Sequence, residues 1–160
     1  MAPRPPFELN VDVGSKEFPV APPDPDPMLT RASVTFHTNT DDKKSDSLVR
    51  VDVLADYGRT IVAQMSNFLG RFGDHSDAGP FTLLMVHPVR RQRLKTGRID
   101  IHFAATENTS VLPPFIYKDT WRFNFLLDLL FEDGGHLIAK ANGIEFFSDG
   151  AETAQSFGIE

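Results

Sequence analysis

Carboxylates and amides gather at two places in the chain where oxygen chemistry is conceivable. Residues 37–53 read HTNTDDKKSDSLVRVDV, so an alternating strand breaks into Asn39, Asp41, Asp42 and Asp46 before alternation resumes. Residues 71–81, RFGDHSDAGPF, add Asp74, Asp77 and backbone carbonyls around Gly73 and Gly79. Calcium is a hard cation that takes several oxygens from carboxylates, amides and carbonyls. Two such turns at one end of a sheet stack can hold an ion that neither holds alone. The same residues are also the ordinary vocabulary of solvated turns. Neither stretch has the alternating acidic spacing and central glycine of an EF-hand. Lys43 and Lys44 lower the local negative field, with long stems able to turn outward.

Other chemistries find less support. His37 and His102 each precede or follow phenylalanine on alternating stretches, and with Asp100 they can share one face and build a proton-transfer pair or a transition-metal site. A small enzyme with a His/Asp site inside a β-barrel follows from that reading; the more ordinary reading is an exposed histidine. No His-Glu-x-x-His pattern, no Gly-x-Ser-x-Gly elbow and no phosphate-cradling glycine loop occurs. The chain contains no cysteine, which removes disulfides, thiolate metal ligands and a thiol nucleophile. An aromatic group is the third candidate. Phe115, Tyr117, Trp121 and Arg122 fall in or beside the proline-stiffened stretch TSVLPPFIYKDTW, where they can face a ligand, a sugar ring or a lipid surface, or cap the core.

The elements that must position these groups are strands. With 160 residues, 41% hydrophobic and 24% charged, the chain suits one soluble domain. From Ser33 the period is two: SVTFHT puts Val34 and Phe36 on one face and Thr35 and His37 on the other, and SLVRVDVLAD puts Val49, Val51 and Val53 inward. TIVAQMSNF, PFTLLMVHP, GRIDIHFAA, TWRFNFLLDLLFED and HLIAKANGIEFFS continue the series, separated by ADYG, GDHSDAG, KTG and EDGG. The leucines of TWRFNFLLDLLFED also suit a helix, but Trp121, Phe123 and Phe125 alternate with Arg122 and Asn124 and favour a strand. The expected fold is all-β, an antiparallel β-sandwich of about eight strands over residues 31–160. The tail AETAQSFGIE is open between a helical turn, a strand and a frayed end.

Residues 1–30 form a proline-rich arm, with an extended linker at Pro19 to Pro27 and, before it, an alternating stretch FELNVDV. That stretch pairs with the body or with a neighbour, which makes a homo-oligomer built through the arm one option. The net charge of −6 provides no field that gathers nucleic acid, and the basic run VRRQRLKTGR is read as a solvated hairpin or loop. The opening lacks the continuous apolar core of a signal peptide, so the default location is cytoplasmic, with non-classical secretion left open.

The order of these motifs is familiar. SVTFHTNTDDKKSDSLVRVDVLADYG resembles the opening of a PLAT (LH2) domain, RFGDHSDAGPFTLLM is similar to that family's Phe-Gly-acidic turn, and KDTWRFNFLLDLLFEDG resembles the strand that carries its tryptophan. The resemblance spans residues 33–148, and C2 domains share a similar architecture. It implies a β-sandwich whose end loops bind calcium and engage a membrane surface, lipid or protein partner, with Asp41 or Asp42, Asp46 and Asp74 as ligands. The expectation is therefore a non-enzymatic, calcium-dependent binding module; a lectin-like or toxin-associated protein that binds a glycan is the alternative.

Overall fold

The computed structural model describes residues 25–45, 47–68, 70–105 and 118–160. Among these, two antiparallel sheets are formed by β1 (Leu29–Thr38), β2 (Ser47–Ala55), β3 (Thr60–Phe68), β4 (Asp77–Thr82), β5 (Leu84–Met85), β6 (Arg98–Ala105), β7 (Asp119–Phe131), β8 (His136–Ser148) and β9 (Thr153–Gly158). One sheet has the order β4-β1-β7-β8 and the other β5-β3-β2-β6-β9. The expected all-β, two-sheet architecture is what forms. TWRFNFLLDLLFED is a strand as far as Phe131, with Glu132 and Asp133 opening the turn to β8, and AETAQSFGIE contributes β9.

Alternation explains the layers. In β7 the inward set is Trp121, Phe123, Phe125, Leu127, Leu129 and Phe131, all buried, while the intervening residues are partly or fully exposed. Val34 and Phe36 from β1, Val49, Val51 and Val53 from β2 and Ile99, Ile101 and Phe103 from β6 meet them in a single core. Phenyl rings join the sheets: Phe103 lies 5.8 Å from Trp121 and 5.9 Å from Phe146, and Phe125 lies 4.9 Å from Phe157. Each fully buried ring of this kind stabilises the fold by roughly 2–3 kcal/mol relative to exposure.

Two departures from the sequence expectation have local causes. PFTLLMVHP is not one strand. Its first half belongs to β4, which pairs with β1, and β5 pairs with β3 in the other sheet. Leu83, between them, is buried, with its N–H donated to the Ala32 carbonyl at 2.8 Å. The chain thus changes sheets at one apolar residue. The basic run, expected as a solvated hairpin or loop, holds a single helical turn, α1 (Arg91–Leu94), that buries Leu94. Arg93 holds Asp56 at 2.6 Å and Arg91 holds Asp133 at 2.6 Å, so these cations brace turns.

Residues 26–29 are pinned to the segment after β5. Gln92 N–H donates to Asp26 Oδ1, Arg91 N–H to the Pro27 carbonyl and Leu29 N–H to the Val89 carbonyl. Residues 26–29, on the arm side of the expected boundary at 30/31, are thus bonded to the body. The rest of the proline-rich arm, including FELNVDV, lies outside the described residues.

Candidate functional site

The two acidic turns meet. Thr38 N–H donates to the Ser76 carbonyl at 2.9 Å, His75 N–H to the Asn39 carbonyl at 3.0 Å, and Lys43 and Phe72 exchange both backbone bonds at 3.0 Å. Phe72 then enters the core end, 5.9 Å from Phe36 and 5.5 Å from Trp121. What lies at the junction differs from the expectation for the lysines. Lys43 turns inward and is fully buried, its Nζ donating to the Lys44 carbonyl at 2.9 Å and to the Gly70 carbonyl, and lying 5.0 Å from the Phe72 ring centroid. The chain's own ammonium group sits where the two turns join.

The carboxylates around it have partners. Asp41 is 2.5 Å from Arg122, Asp42 is 2.7 Å from Arg71, and Asp77 is 2.7 Å from His37. Asn39 donates its amide to Asn124 at 3.1 Å. Asp74 is exposed at the turn, and Asp46 lies outside the described residues. Among the described residues, no group of three or more His, Cys, Asp or Glu side chains is placed to hold a metal ion.

Behind the junction is a buried polar cluster that the sequence reading did not single out. Asp119 accepts from Ser47 Oγ at 2.6 Å and from the Lys44 N–H at 2.9 Å. Burial pushes its carboxyl above the ordinary carboxylate value, against the opposing pull of the Ser47 hydroxyl and the Lys44 amide. Ser148 Oγ accepts from the Ala105 N–H and donates to the Ala151 carbonyl. Trp121 Nε1 donates to Thr38 Oγ1 at 3.0 Å, and its ring stacks on Phe123 with centroids 3.8 Å apart. Fully buried, Trp121 is a core anchor with no face for a ligand. Phe115 and Tyr117 lie outside the described residues, and Arg122 is committed to Asp41 and to Glu145 at 2.5 Å.

His37 and His102 do not share a face. His37 is on β1 of the four-stranded sheet and His102 on β6 of the five-stranded sheet. Each points away from the core because its neighbours Phe36 and Phe103 point in. His102 sits over Arg50, 3.4 Å from Asp52 and 3.4 Å from Glu152, in a charged ladder continued by Arg98 and Asp100. Asp52, expected to be outward, is on that face yet only 6% exposed, covered by Arg50, Gln64 and His102. The enclosed His/Asp barrel site is thus corrected: the two rings lie on different sheets and both face outward.

A groove of about 630 Å³ lies on the outer face of the four-stranded sheet. Register builds it: Thr35 is opposite Leu126, His37 opposite Asn124, Leu126 opposite Lys140, and Asp128 opposite Ile138. Leu126 and Ile138 form an exposed apolar floor, 44% and 37% accessible. Polar side chains around it are held by second partners. His136 Nδ1 is 2.5 Å from Asp128 and His37 Nδ1 is 2.7 Å from Asp77. Asn124 Oδ1 accepts from Asn39 and from the Gly143 N–H at 2.9 Å, so its own amide N–H groups are open donors among the described residues. Alternation alone signals which residues face outward; that four strands align these particular ones is a register property invisible in the linear sequence.

No helix among the described residues is long and apolar enough to cross a membrane. No protein-family model, no curated protein and no solved structure matches the chain.

Proposed function

We propose that this protein is a non-enzymatic binding module that takes a glycan on the outer face of its four-stranded sheet. The observation that carries the reading is the groove itself, in which hydrogen-bonding side chains surround an apolar floor and are held by neighbours before any ligand arrives. A sugar hydroxyl both donates and accepts, so it needs both kinds of group at fixed positions; Asn124, His37, His136, Asp128 and Lys140 supply them. The C–H face of a sugar ring needs an apolar surface, and Leu126 with Ile138 offers one. The groove volume is within the range of small-ligand sites. Binding to a glycan array by the full chain, reduced at least tenfold in Lys140→Ala and in His37→Ala with unchanged melting temperature, is the expected result. Absence of selective binding to any glycan, or indifference to both substitutions, overturns it. Trp121→Ala is uninformative here, since that ring belongs to the core.

The meeting of the two acidic turns favours a second reading, the PLAT-like one: calcium at the junction, with the adjoining loops engaging a membrane surface, lipid or protein partner. As they stand, Asp41, Asp42 and Asp77 have basic partners, and Lys43 occupies the junction, so an ion has to displace existing contacts to enter. Such a site is weak or completed by the partner. A rise in melting temperature with millimolar calcium, smaller with magnesium and lost in Asp74→Asn and Asp42→Asn, supports it; no calcium-dependent shift removes it.

A further inference from the structure

The outer face that carries the groove continues beyond it. Along β7 every second side chain is turned away from the core without a break, so Thr120 and Arg122 stand on the same face as Asn124, Leu126 and Asp128. The groove takes in only the part from Asn124 to Asp128. Register places a β8 residue beside each of the remaining two: Glu145 is opposite Arg122 and Phe147 is opposite Thr120. Phe147 is 54% exposed, although Phe146 and Ser148 on either side of it are buried. The face therefore presents an aromatic ring to solvent at the far end from Ile138. The sequence pattern offered Trp121 for such a platform, and that ring is in the core; Phe147 is the aromatic side chain that register brings onto the groove's own face.

Between the groove and Phe147 lies a polar step. The Arg122 guanidinium is held between Asp41 and Glu145, both at 2.5 Å, and is still about half exposed. It is a planar donor with carboxylate acceptors at its sides, fixed before any ligand arrives. Positions on one face of a strand are two residues apart, about 6.6 Å, so Phe147, beside Thr120, stands about 20 Å from the Leu126 floor. One pyranose ring cannot reach across that distance. A chain of rings can, and it meets the apolar floor, then hydrogen-bonding groups, then a phenyl ring. That order suits a glycan chain, whose ring faces carry C–H groups and whose edges carry hydroxyls. Chains joined by equatorial β-1,4 bonds are extended ribbons that can follow a strand, whereas axial linkages curl away from it.

We propose that the ligand is an extended β-1,4-linked glycan chain lying along β7 and β8, with one ring over Leu126 and Ile138 beside Lys140 and a more distant ring stacked on Phe147. This rests on the groove being a glycan site and adds to it the class of glycan and a second contact point. A binder built this way recognises the interior of a chain. Its affinity grows with the number of rings until the chain spans from the floor to Phe147.

The test measures the affinity of the full chain for two-ring and six-ring oligomers of β-1,4-linked glucose and of β-1,4-linked N-acetylglucosamine, by titration calorimetry. The expected result is that the six-ring oligomer of one series binds at least tenfold tighter than its two-ring counterpart. Phe147→Ala is expected to shrink that advantage to under twofold, and Phe147→Trp, which keeps a platform, to preserve it. Melting temperatures of both variants report whether the fold is intact. Equal affinity for short and long oligomers, a length advantage that survives in Phe147→Ala, or no binding of either six-ring oligomer overturns the proposal. If another glycan on the array still binds and is lost in Lys140→Ala, the groove reading stands without the chain. If no glycan binds at all, both fall.

Discussion

Lys43 is the residue at which the chemistry of the acidic turns is decided. A buried amino group is costly unless its hydrogens are all received, and here backbone carbonyls of Lys44 and Gly70 and the face of Phe72 receive them. Lys43→Met keeps most of the stem and removes the donors, leaving carbonyls at the junction of the two turns without their partner. The expected cost is about 2–3 kcal/mol in urea unfolding, the scale of an unsatisfied buried acceptor pair; a neutral or stabilising Met reduces Lys43 to filler. Asp119, close by, makes a claim about pH. Its folded-state carboxyl titrates above the ordinary aspartate value because burial disfavours the anion. The folded protein therefore binds this proton more tightly than the unfolded chain. The group's contribution to stability is most favourable below the unfolded pKa and is lost as pH rises through the folded one. Asp56 and Asp133, each lowered chiefly by a hydrogen bond from an arginine, act in the opposite sense, losing stability as pH falls through their depressed values. In Asp119→Asn, which keeps an acceptor for Ser47 and Lys44, melting temperature is expected to gain relative to wild type as pH rises from about 4 to 7. A constant difference between the two proteins across that range assigns the ionised Asp119 no penalty.

At the scale of elements, Gly97 is where three segments converge. Its N–H donates to the Leu94 carbonyl at the end of α1, and its carbonyl accepts from the Ile159 N–H beyond β9. A methyl group there would stand 2.9 Å from the Leu94 oxygen, closer still to the Leu54 oxygen at the end of β2, and 3.2 Å from Ile159 Cδ1. The near atoms are mostly backbone and cannot swing away. Gly97→Ala is expected to lower stability by about 2 kcal/mol or more, read from denaturant midpoints, whereas Gly134→Ala, with open space around it but a positive φ of 82°, tests strain without crowding. These elements also show why some of the fold was legible. Alternation over six or more residues placed β1, β2, β3, β6 and β7, since every second side chain of an apolar-faced strand must enter the core. A four-residue helix has no period to detect, so α1 was hidden in a basic run. The switch of sheets at Leu83 was hidden too, because a strand that bends between layers keeps the same apolar composition. The burial of Lys43 and the covering of Asp52 were hidden for one reason: residue type announces a preference for water, while burial is decided by which neighbours long-range pairing brings over them.

The whole molecule is a stack whose two flanks are finished differently, and that asymmetry bears on the groove. On one flank the sheets are joined through the reciprocal bonds of Ile138 and Glu160, with buried Ile159 beneath them and Phe157 against Phe125. Ile138 is also part of the groove floor and Lys140 its rim, so the strand that forms one wall of the candidate site is held at its root by the five-stranded sheet. Most contacts in the fold join residues distant in sequence, which makes the core cooperative and leaves flanks as the places where local opening costs least. Ile159 is buried, so a carboxylate there is taken out of water, and Ile159→Asp should release the flank without dismantling the core. The expected signature is amide exchange at Ile138 at least tenfold faster, with Phe36 and Phe123, deep in the β1–β7 ladder, unchanged. If glycan binding weakens in the same variant while Phe36 and Phe123 stay protected, the groove depends on the pinning of β8 from the opposite sheet. Uniform acceleration at all three amides instead makes the flank part of a single unfolding unit, and the groove then has no adjustable wall.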